Sequence, residues 1–135
     1  MRPIVLDTCV LISGLIGHGA SVALVDAFFD NRLALAYTAE ILAEYAEVME
    51  RPQFCIESAE RAAIFLKLRA SAIMVEAAPV PSVRWPDPKD LPFVAAALAT
   101  DLKTIVTLNP RDFVPAVSLG VTVLSPRQAI VLLKH

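Results

Sequence analysis

Short apolar runs alternate along the chain with longer segments in which apolar residues recur at helical spacing. The short runs are rich in β-branched residues, which is typical of strands buried on both faces. Strands are predicted at residues 4–6, 33–37, 104–108 and 121–124. Helices are predicted at residues 21–30, 39–50 and 57–71, in a segment ending near residue 102, and from residue 126 onward. Strands separated by helices need crossover connections, so the pattern predicts one α/β domain over residues 1–135: a three-layer α/β/α sandwich with a parallel central sheet.

Proline, glycine and capping residues set the predicted boundaries. Pro52 ends the second helix because the residue before a proline leaves the α region. Five prolines between residues 79 and 92 predict a stiff connection without a strand interior. Ser125, followed by proline and then by Gln128 three positions on, predicts an N-cap with a capping box for the last helix. Residues 109–119 read as a loop.

Residues 8–25 contain no charged side chain and therefore raise the question of a membrane span. Three glycines interrupt the run, and Asp7 and Asp26 flank it, so neither a spanning helix nor a signal peptide fits. The run is interpreted as a strand end, a loop and the start of the helix at residue 21.

Composition narrows the class of protein. The chain has 135 residues, 56% of them hydrophobic, and a net charge of -2, so it can form a core and is not disordered. Cys9 and Cys55 have no metal-binding spacing and do not suggest a disulfide framework, so a cytoplasmic protein is expected. The slight acidic excess argues against the basic surface typical of nucleic-acid binders.

Asp7 is the first acid whose position suggests chemistry. It follows the apolar strand at residues 4–6, at the carboxyl end, where open α/β folds keep their sites. A loop or capping aspartate would explain the same position equally well.

Glu44 is the second. On a helix with about 100° per residue, it falls about 40° outside the apolar face that ends at Val48, whereas Glu40, Glu47 and Glu50 lie farther round toward solvent. A boundary glutamate whose stem covers apolar surface is the competing interpretation.

Asp90 is the third, because it lies on the apolar stripe of its helix, between Phe93 on one side and Val94 on the other. It also lies at the helix start, so an N-cap role is the alternative, and Asp87 could be the true cap.

A fourth group lies at the carboxyl end of the strand at residues 104–108 and contains Thr107, Asn109 and Asp112. A parallel sheet would bring this loop close to Asp7, with Glu44 and Asp90 contributed by flanking helices. Such clustered carboxylates repel one another unless a divalent cation neutralises them. Oxygen ligands without His or Cys select Mg²⁺ or Mn²⁺.

These segments together resemble the PIN-domain family, and within it the VapC-like toxin ribonucleases of bacterial and archaeal toxin–antitoxin modules. The resemblance runs in order over essentially the whole chain. It is carried by Val5-Leu6-Asp7-Thr8, by residues 39–54 around Glu44, by Asp87-Pro88-Lys89-Asp90, by Thr107-Leu108-Asn109-Pro110-Arg111-Asp112, and by Val123-Leu124-Ser125-Pro126.

The resemblance implies an endoribonuclease whose pocket binds Mg²⁺ or Mn²⁺ and uses a metal-activated water. Asp7, Glu44 and Asp90 match the three core acids of the family. The usual fourth acid is replaced by Asn109, so either Asn109 is a neutral ligand or Asp112 reaches in, and Cys9 stands where the family usually has asparagine. Thr8 and Thr107 would orient the ligands, and Glu44 or Asp90 would help to deprotonate the water.

The resemblance also implies partners: an RNA substrate, a cognate antitoxin that covers the pocket, and a second copy of the chain in a homodimer. No membrane association is expected. Candidate phosphate contacts are Arg84, Lys89, Arg111 and Arg127.

Two functions from other classes of protein are the alternatives to a ribonuclease. A receiver-like phosphoacceptor domain would need an acidic neighbour beside Asp7 and a lysine after the last strand, and neither is present. A PIN fold with a decayed site, acting as an interaction module, is compatible with Asn109 and Cys9.

Overall fold

A computed structural model describes residues 2–81 and 85–134 as a mixed α/β fold with parallel strands. The strands are β1 (Val5–Leu6), β2 (Ala36–Tyr37), β3 (Ile73–Met74), β4 (Thr104–Val106) and β5 (Thr122–Leu124). The helices are α1 (Thr8–Leu15), α2 (Ser21–Phe29), α3 (Ala39–Met49), α4 (Ser58–Ser71), α5 (Leu91–Leu98), α6 (Val114–Val117) and α7 (Pro126–Ile130). The predicted fold class is therefore confirmed.

The strands pair in parallel as β1-β4-β5 and as β2-β3, and a parallel bridge between Ile4 and Leu35 joins the two sets. Val5 pairs with Ile105, and Ile105 pairs in turn with Val123. β1 and β4 are fully buried, which explains their continuous apolar sequences. This order places the carboxyl ends of β1 and β4 next to each other.

Helix α1 corrects the prediction of a loop after β1. Residues 8–15 are helical because Asp7 is extended at the N-cap position and its carbonyl accepts the amide of Val10. α1 packs along α2, and Gly14 permits the close approach, since a Cβ there would lie 2.3 Å from Val25 Cγ2. Because α1 is mostly apolar, the sequence has no polar stripe that would mark this segment as an amphipathic helix.

Three further boundaries differ from the predictions. β3 was not predicted: it follows the helix predicted at residues 57–71, and its first residue, Ile73, is 44% exposed. The predicted loop 109–119 contains a 3₁₀ turn over Pro110–Phe113 and then α6, which Phe113 and Ala116 anchor in the core. α5 ends at Leu98 rather than near residue 102.

The last helix was predicted correctly. The Ser125 side chain accepts the amide of Gln128, and the Gln128 side chain accepts the amide of Ser125, which together form the expected capping box. Within residues 2–81 and 85–134, no helix is long and apolar enough to cross a membrane.

Candidate active site

The end of β1 positions Asp7 beside the end of β4. The amide of Asp7 donates to the carbonyl of Val106 at 2.9 Å, which extends the β1–β4 ladder by one residue. Thr107, buried completely, then donates its Oγ1 to Asp7 Oδ2 at 2.7 Å. The predicted proximity of Asp7 to the loop after β4 is therefore present in the structure.

A second donor to the same oxygen is Cys9, whose Sγ lies 3.3 Å from Asp7 Oδ2. Burial and the charge of Asp7 raise the pKa of the Cys9 thiol to about 12, so it remains protonated and acts as a donor. Burial also raises the pKa of Asp7, although the hydrogen bonds from Thr107 and Cys9 oppose that shift. The carboxylate is thus held in place but kept in an environment that disfavours its charge.

Helix α3 directs Glu44 toward the same region. Glu44 is half-buried, whereas Glu40, Glu47 and Glu50 on the same helix are exposed, as the angular argument predicts. The Thr8 hydroxyl, at the start of α1, donates to Glu44 Oε2. Thr8 therefore joins the first turn of α1 to α3 and orients this carboxylate.

Tyr45 supports the site, and its role was not recognised in the sequence. Its hydroxyl, at the end of a fully buried ring, donates to the carbonyl of Leu6 at 2.5 Å. This bond ties α3 to the residue before Asp7. A buried tyrosine usually finds a partner for its hydroxyl, so Tyr45 beside Glu44 was the available signal.

Asp90 occupies the N-cap position of α5 but does not cap the helix through its side chain. Asp87 is the capping side chain here: its Oδ1 accepts the amide of Lys89 at 2.9 Å in the preceding 3₁₀ turn. Asp90 Oδ2 is buried and has no hydrogen-bond partner in the described part of the chain.

The surroundings of Asp90 are unfavourable to its charge. Desolvation, and after it the negative charges of Asp7, Asp87, Asp112 and Glu44, raise its pKa to about 7. Asp90 therefore lies near enough to Asp7, Glu44 and Asp112 for their charges to act on it. An unpartnered carboxylate among other acids is the arrangement that a bound cation would relieve.

The two candidates for a fourth ligand are placed differently. Asn109 is exposed, and its backbone amide donates to Thr107 Oγ1 at 3.1 Å. Asp112 is half-buried on the 3₁₀ turn after β4, and its charge raises the pKa of both Asp7 and Asp90. Asp112 therefore lies close enough to Asp7 and Asp90 for its charge to act on both carboxyl groups.

The described side chains do not form a complete set of direct ligands for one metal ion. Among residues 2–81 and 85–134, no three His, Cys, Asp or Glu side chains converge closely enough to hold one ion between them. The acids are therefore separated by a gap that their side chains alone do not bridge.

A cavity of about 540 Å³ extends from Glu44 along α3 and the start of α5, with Phe93 on its wall. Lys89 lines it and is exposed. Of the other predicted phosphate contacts, Arg111 and Arg127 are exposed, and Arg84 lies outside the described residues.

Comparison with known proteins agrees with the geometry. The family model described as a PIN domain matches residues 3–111, a range that includes Asp7, Glu44, Asp90 and Thr107 and ends before Asp112. No match was found among curated proteins. PIN domains are generally nucleases and generally use divalent metal ions. The match covers most of the chain, and the chain belongs to the PIN-domain family.

Proposed function

We propose that this PIN domain is a metal-dependent endoribonuclease and the toxin of a toxin–antitoxin module. The observation that carries the nuclease proposal is Asp90 Oδ2, a buried carboxylate oxygen that has no hydrogen-bond partner within the described residues and lies near four other acids. Leaving such a group unsatisfied costs stability, so its retention favours a role in binding a cation.

The donor set fits Mg²⁺ or Mn²⁺. The carboxylates of Asp7, Glu44, Asp90 and Asp112 supply oxygen ligands, which these hard cations prefer. Mg²⁺ usually keeps several waters in proteins, and the gap between the acids is compatible with ligation partly through water. When bound, the cation would lower the pKa of a water and offset charge on the phosphate.

The residues of the chain then have separate tasks. Thr107 and Cys9 orient Asp7, and Thr8 orients Glu44 through Oε2. Either Glu44 Oε1 or Asp90 Oδ2 takes the proton from the attacking water. Asp112 adds negative charge that strengthens cation binding, and Asn109 lies at the rim.

An RNA cleavage assay tests the proposal, with Asp90→Asn as the variant and Asp101→Asn as its control. Asp101 is exposed and lies beyond the other end of α5. Wild type and Asp101→Asn are expected to cleave single-stranded RNA with Mn²⁺ and to stop in EDTA, with Asp90→Asn slower by roughly 10²- to 10⁴-fold. Equal cleavage by Asp90→Asn and wild type would contradict the proposal.

The toxin role needs a cellular test. Induced expression in bacteria is expected to arrest growth with the wild-type chain and not with Asp90→Asn produced at the same level. An apolar cavity of about 420 Å³ beside Thr8 and Cys9, walled by Ile12, Ile16 and Phe54, supports docking of an antitoxin segment next to the acids. If the wild-type chain cleaves RNA but does not affect growth, the nuclease proposal stands and the toxin proposal is rejected.

A homodimer is also proposed. The apolar side chains that are exposed include Val114, Val117, Val131 and Leu132 near the end of the chain, and a second copy of the chain could cover them. Sedimentation velocity is expected to show a dimer that Val117→Asp converts to monomer.

A catalytically decayed interaction module remains the second candidate because no three acids of the described residues converge on one ion site and Asn109 replaces the usual acid. Calorimetric titration with Mn²⁺ separates the two. The nuclease is expected to give a binding heat that Asp7→Asn abolishes, and the module to give none.

A further inference from the structure

A second cavity of about 540 Å³ lies beside the acidic one, between the start of α3 and the segment that leads into α5. We call it the Trp85 cavity. The residues that line it include Trp85, Glu40 and three prolines, Pro81, Pro88 and Pro92. The cleavage chemistry proposed above uses neither the aromatic ring nor the prolines, so this cavity has a separate ligand to be identified.

Trp85 gives the cavity an aromatic wall. The residue is partly buried and packs against the hydrophobic core, so packing restricts the orientation of its ring. The prolines that line the same cavity add side chains on a stiff backbone. A preformed aromatic face among apolar side chains binds flat ring systems by stacking.

The Trp85 cavity adjoins the acidic cavity. Glu40, Pro88 and Pro92 line both of them. Glu40 lies one helical turn before Glu44, about 6 Å away along the axis of α3, and Asp90 ends the 3₁₀ turn that begins at Pro88. A ligand in the Trp85 cavity therefore lies next to whatever the acids hold.

The charge of the lining favours a nucleobase over a phosphate. Glu40 is the one charged side chain among the described residues that line the Trp85 cavity. A carboxylate repels backbone phosphates, whereas it accepts hydrogen bonds from the amino groups of bases. Lys89, which attracts phosphate, lines the acidic cavity instead. The two cavities thus provide for the two parts of a nucleotide, its base and its backbone.

We propose that the Trp85 cavity binds a nucleobase of the single-stranded RNA that enters the acidic site, with the base stacked on the indole of Trp85. The RNA as ligand rests on the proposed nuclease function. The cavity volume lies within the range of roughly 300–1,000 Å³ that is usual for small organic ligands. Stacking accepts every base, so Trp85 holds the strand in position without reading its sequence.

The intrinsic fluorescence of the protein tests this contact directly, because Trp85 is the only tryptophan in the chain. A short single-stranded RNA is titrated into the wild type in EDTA and into Asp90→Asn with Mg²⁺, two conditions in which little cleavage is expected. A base stacked on the indole is expected to quench the fluorescence in both. An abasic strand of the same length carries the same phosphates and is expected to cause no quenching.

Two substitutions test the same contact through affinity, measured by the anisotropy of a fluorescein-labelled RNA. Trp85→Leu keeps an apolar side chain but removes the aromatic face, so binding is expected to weaken by roughly 5- to 100-fold. Trp85→Phe keeps a ring and is expected to bind more tightly than Trp85→Leu.

Phe29→Leu is the matched control for the loss of an aromatic ring. Phe29 is 37% exposed at the end of α2 and is not among the residues that line the Trp85 cavity. This variant is expected to bind RNA like the wild type. The abasic strand is expected to bind Trp85→Leu as it binds the wild type, which verifies that the variant is folded.

The outcomes separate the two proposals. Equal fluorescence changes with the base-bearing and the abasic strand, or equal RNA affinities of Trp85→Leu and Phe29→Leu, would overturn the stacking site even if the wild type cleaves RNA. Quenching that depends on the bases, in a protein that cleaves no RNA, would support the stacking site and reject the nuclease.

Discussion

Thr107 Oγ1 donates to Asp7 Oδ2 at 2.7 Å, joining side chains 100 positions apart at the ends of two neighbouring strands. Thr107→Val keeps the shape of the side chain and removes the donor, so Asp7 keeps Cys9 alone as a side-chain partner on that oxygen. RNA cleavage is expected to fall by roughly 10- to 100-fold, the usual cost of losing a group that orients a ligand. Steady-state cleavage with Mn²⁺ measures it.

Thr107→Ser is the matched control, since it keeps the hydroxyl and loses only a methyl group. It is expected to retain most of the activity. Activity in Thr107→Val equal to that in Thr107→Ser would show that the bond does not position Asp7.

Asp90 makes the stability of the metal-free protein depend on pH. Desolvation and the neighbouring acids raise its folded pKa from 3.8 to about 7. The folded state therefore binds more protons than the unfolded state between these values, and stability falls as pH rises through this window. Asp90→Asn removes the charge, so it is expected to raise the Tm in EDTA at pH 8 and to change it little at pH 4.

Calorimetry or dye-based melting measures these Tm values, with Asp101→Asn as the exposed control. Mn²⁺ at pH 8 is expected to stabilise the wild type more than Asp90→Asn, because the cation binds the folded form. If the Tm of Asp90→Asn were lower than that of the wild type in EDTA at pH 8, the charge of Asp90 would not destabilise the folded protein and the prediction would be wrong.

Tyr45→Phe tests the tie between α3 and β1. Removing the hydroxyl leaves the buried carbonyl of Leu6 without this donor, and the free energy of unfolding is expected to fall by about 1–3 kcal/mol. Urea denaturation measures it. Tyr37→Phe is the control, at a ring 6% exposed in β2, with an expected change within about 0.5 kcal/mol. Equal losses of stability in the two variants would show that the bond from the Tyr45 hydroxyl to Leu6 does not stabilise the fold.

Gly14→Ala tests the close approach of α1 to α2. The added Cβ would lie 2.3 Å from Val25 Cγ2 and 2.7 Å from the carbonyl oxygen of Ser21, so the helices must move apart. A loss of about 1–3 kcal/mol is expected despite the better helix propensity of alanine. Adding Val25→Ala should recover part of the loss, and a Gly14→Ala protein as stable as the wild type would contradict the contact.

The acids differed in how far their placement could be predicted. Glu44 was separable from the exposed glutamates of α3 because helical periodicity is local and needs no knowledge of the rest of the chain. For Asp90, periodicity indicated a position on the apolar side. Only the folded chain shows that Asp87 performs the capping and that Asp90 Oδ2 has no hydrogen-bond partner among the described residues. Asn109 and Asp112 were alternative candidates in the sequence, and the Asn-Pro signal did not reveal the 3₁₀ turn over Pro110–Phe113 on which Asp112 is half-buried.

Residues 8–15 show the main limit of pattern analysis. The segment is apolar on every side and contains a glycine, so neither amphipathic periodicity nor propensity marks it as a helix. Its packing on α2 stabilises it as a helix.

The sequence by itself determined the alternation of strands and helices, the parallel arrangement and the last capping box, because these follow from short-range periodicity. It also predicted which acids form the site, from a recognisable order of motifs. The tertiary structure alone decided which groups meet. The bonds from Thr107 and Cys9 to Asp7, the bond from Thr8 to Glu44 and the unsatisfied oxygen of Asp90 depend on strand order and helix packing, and these bring together residues distant in the chain.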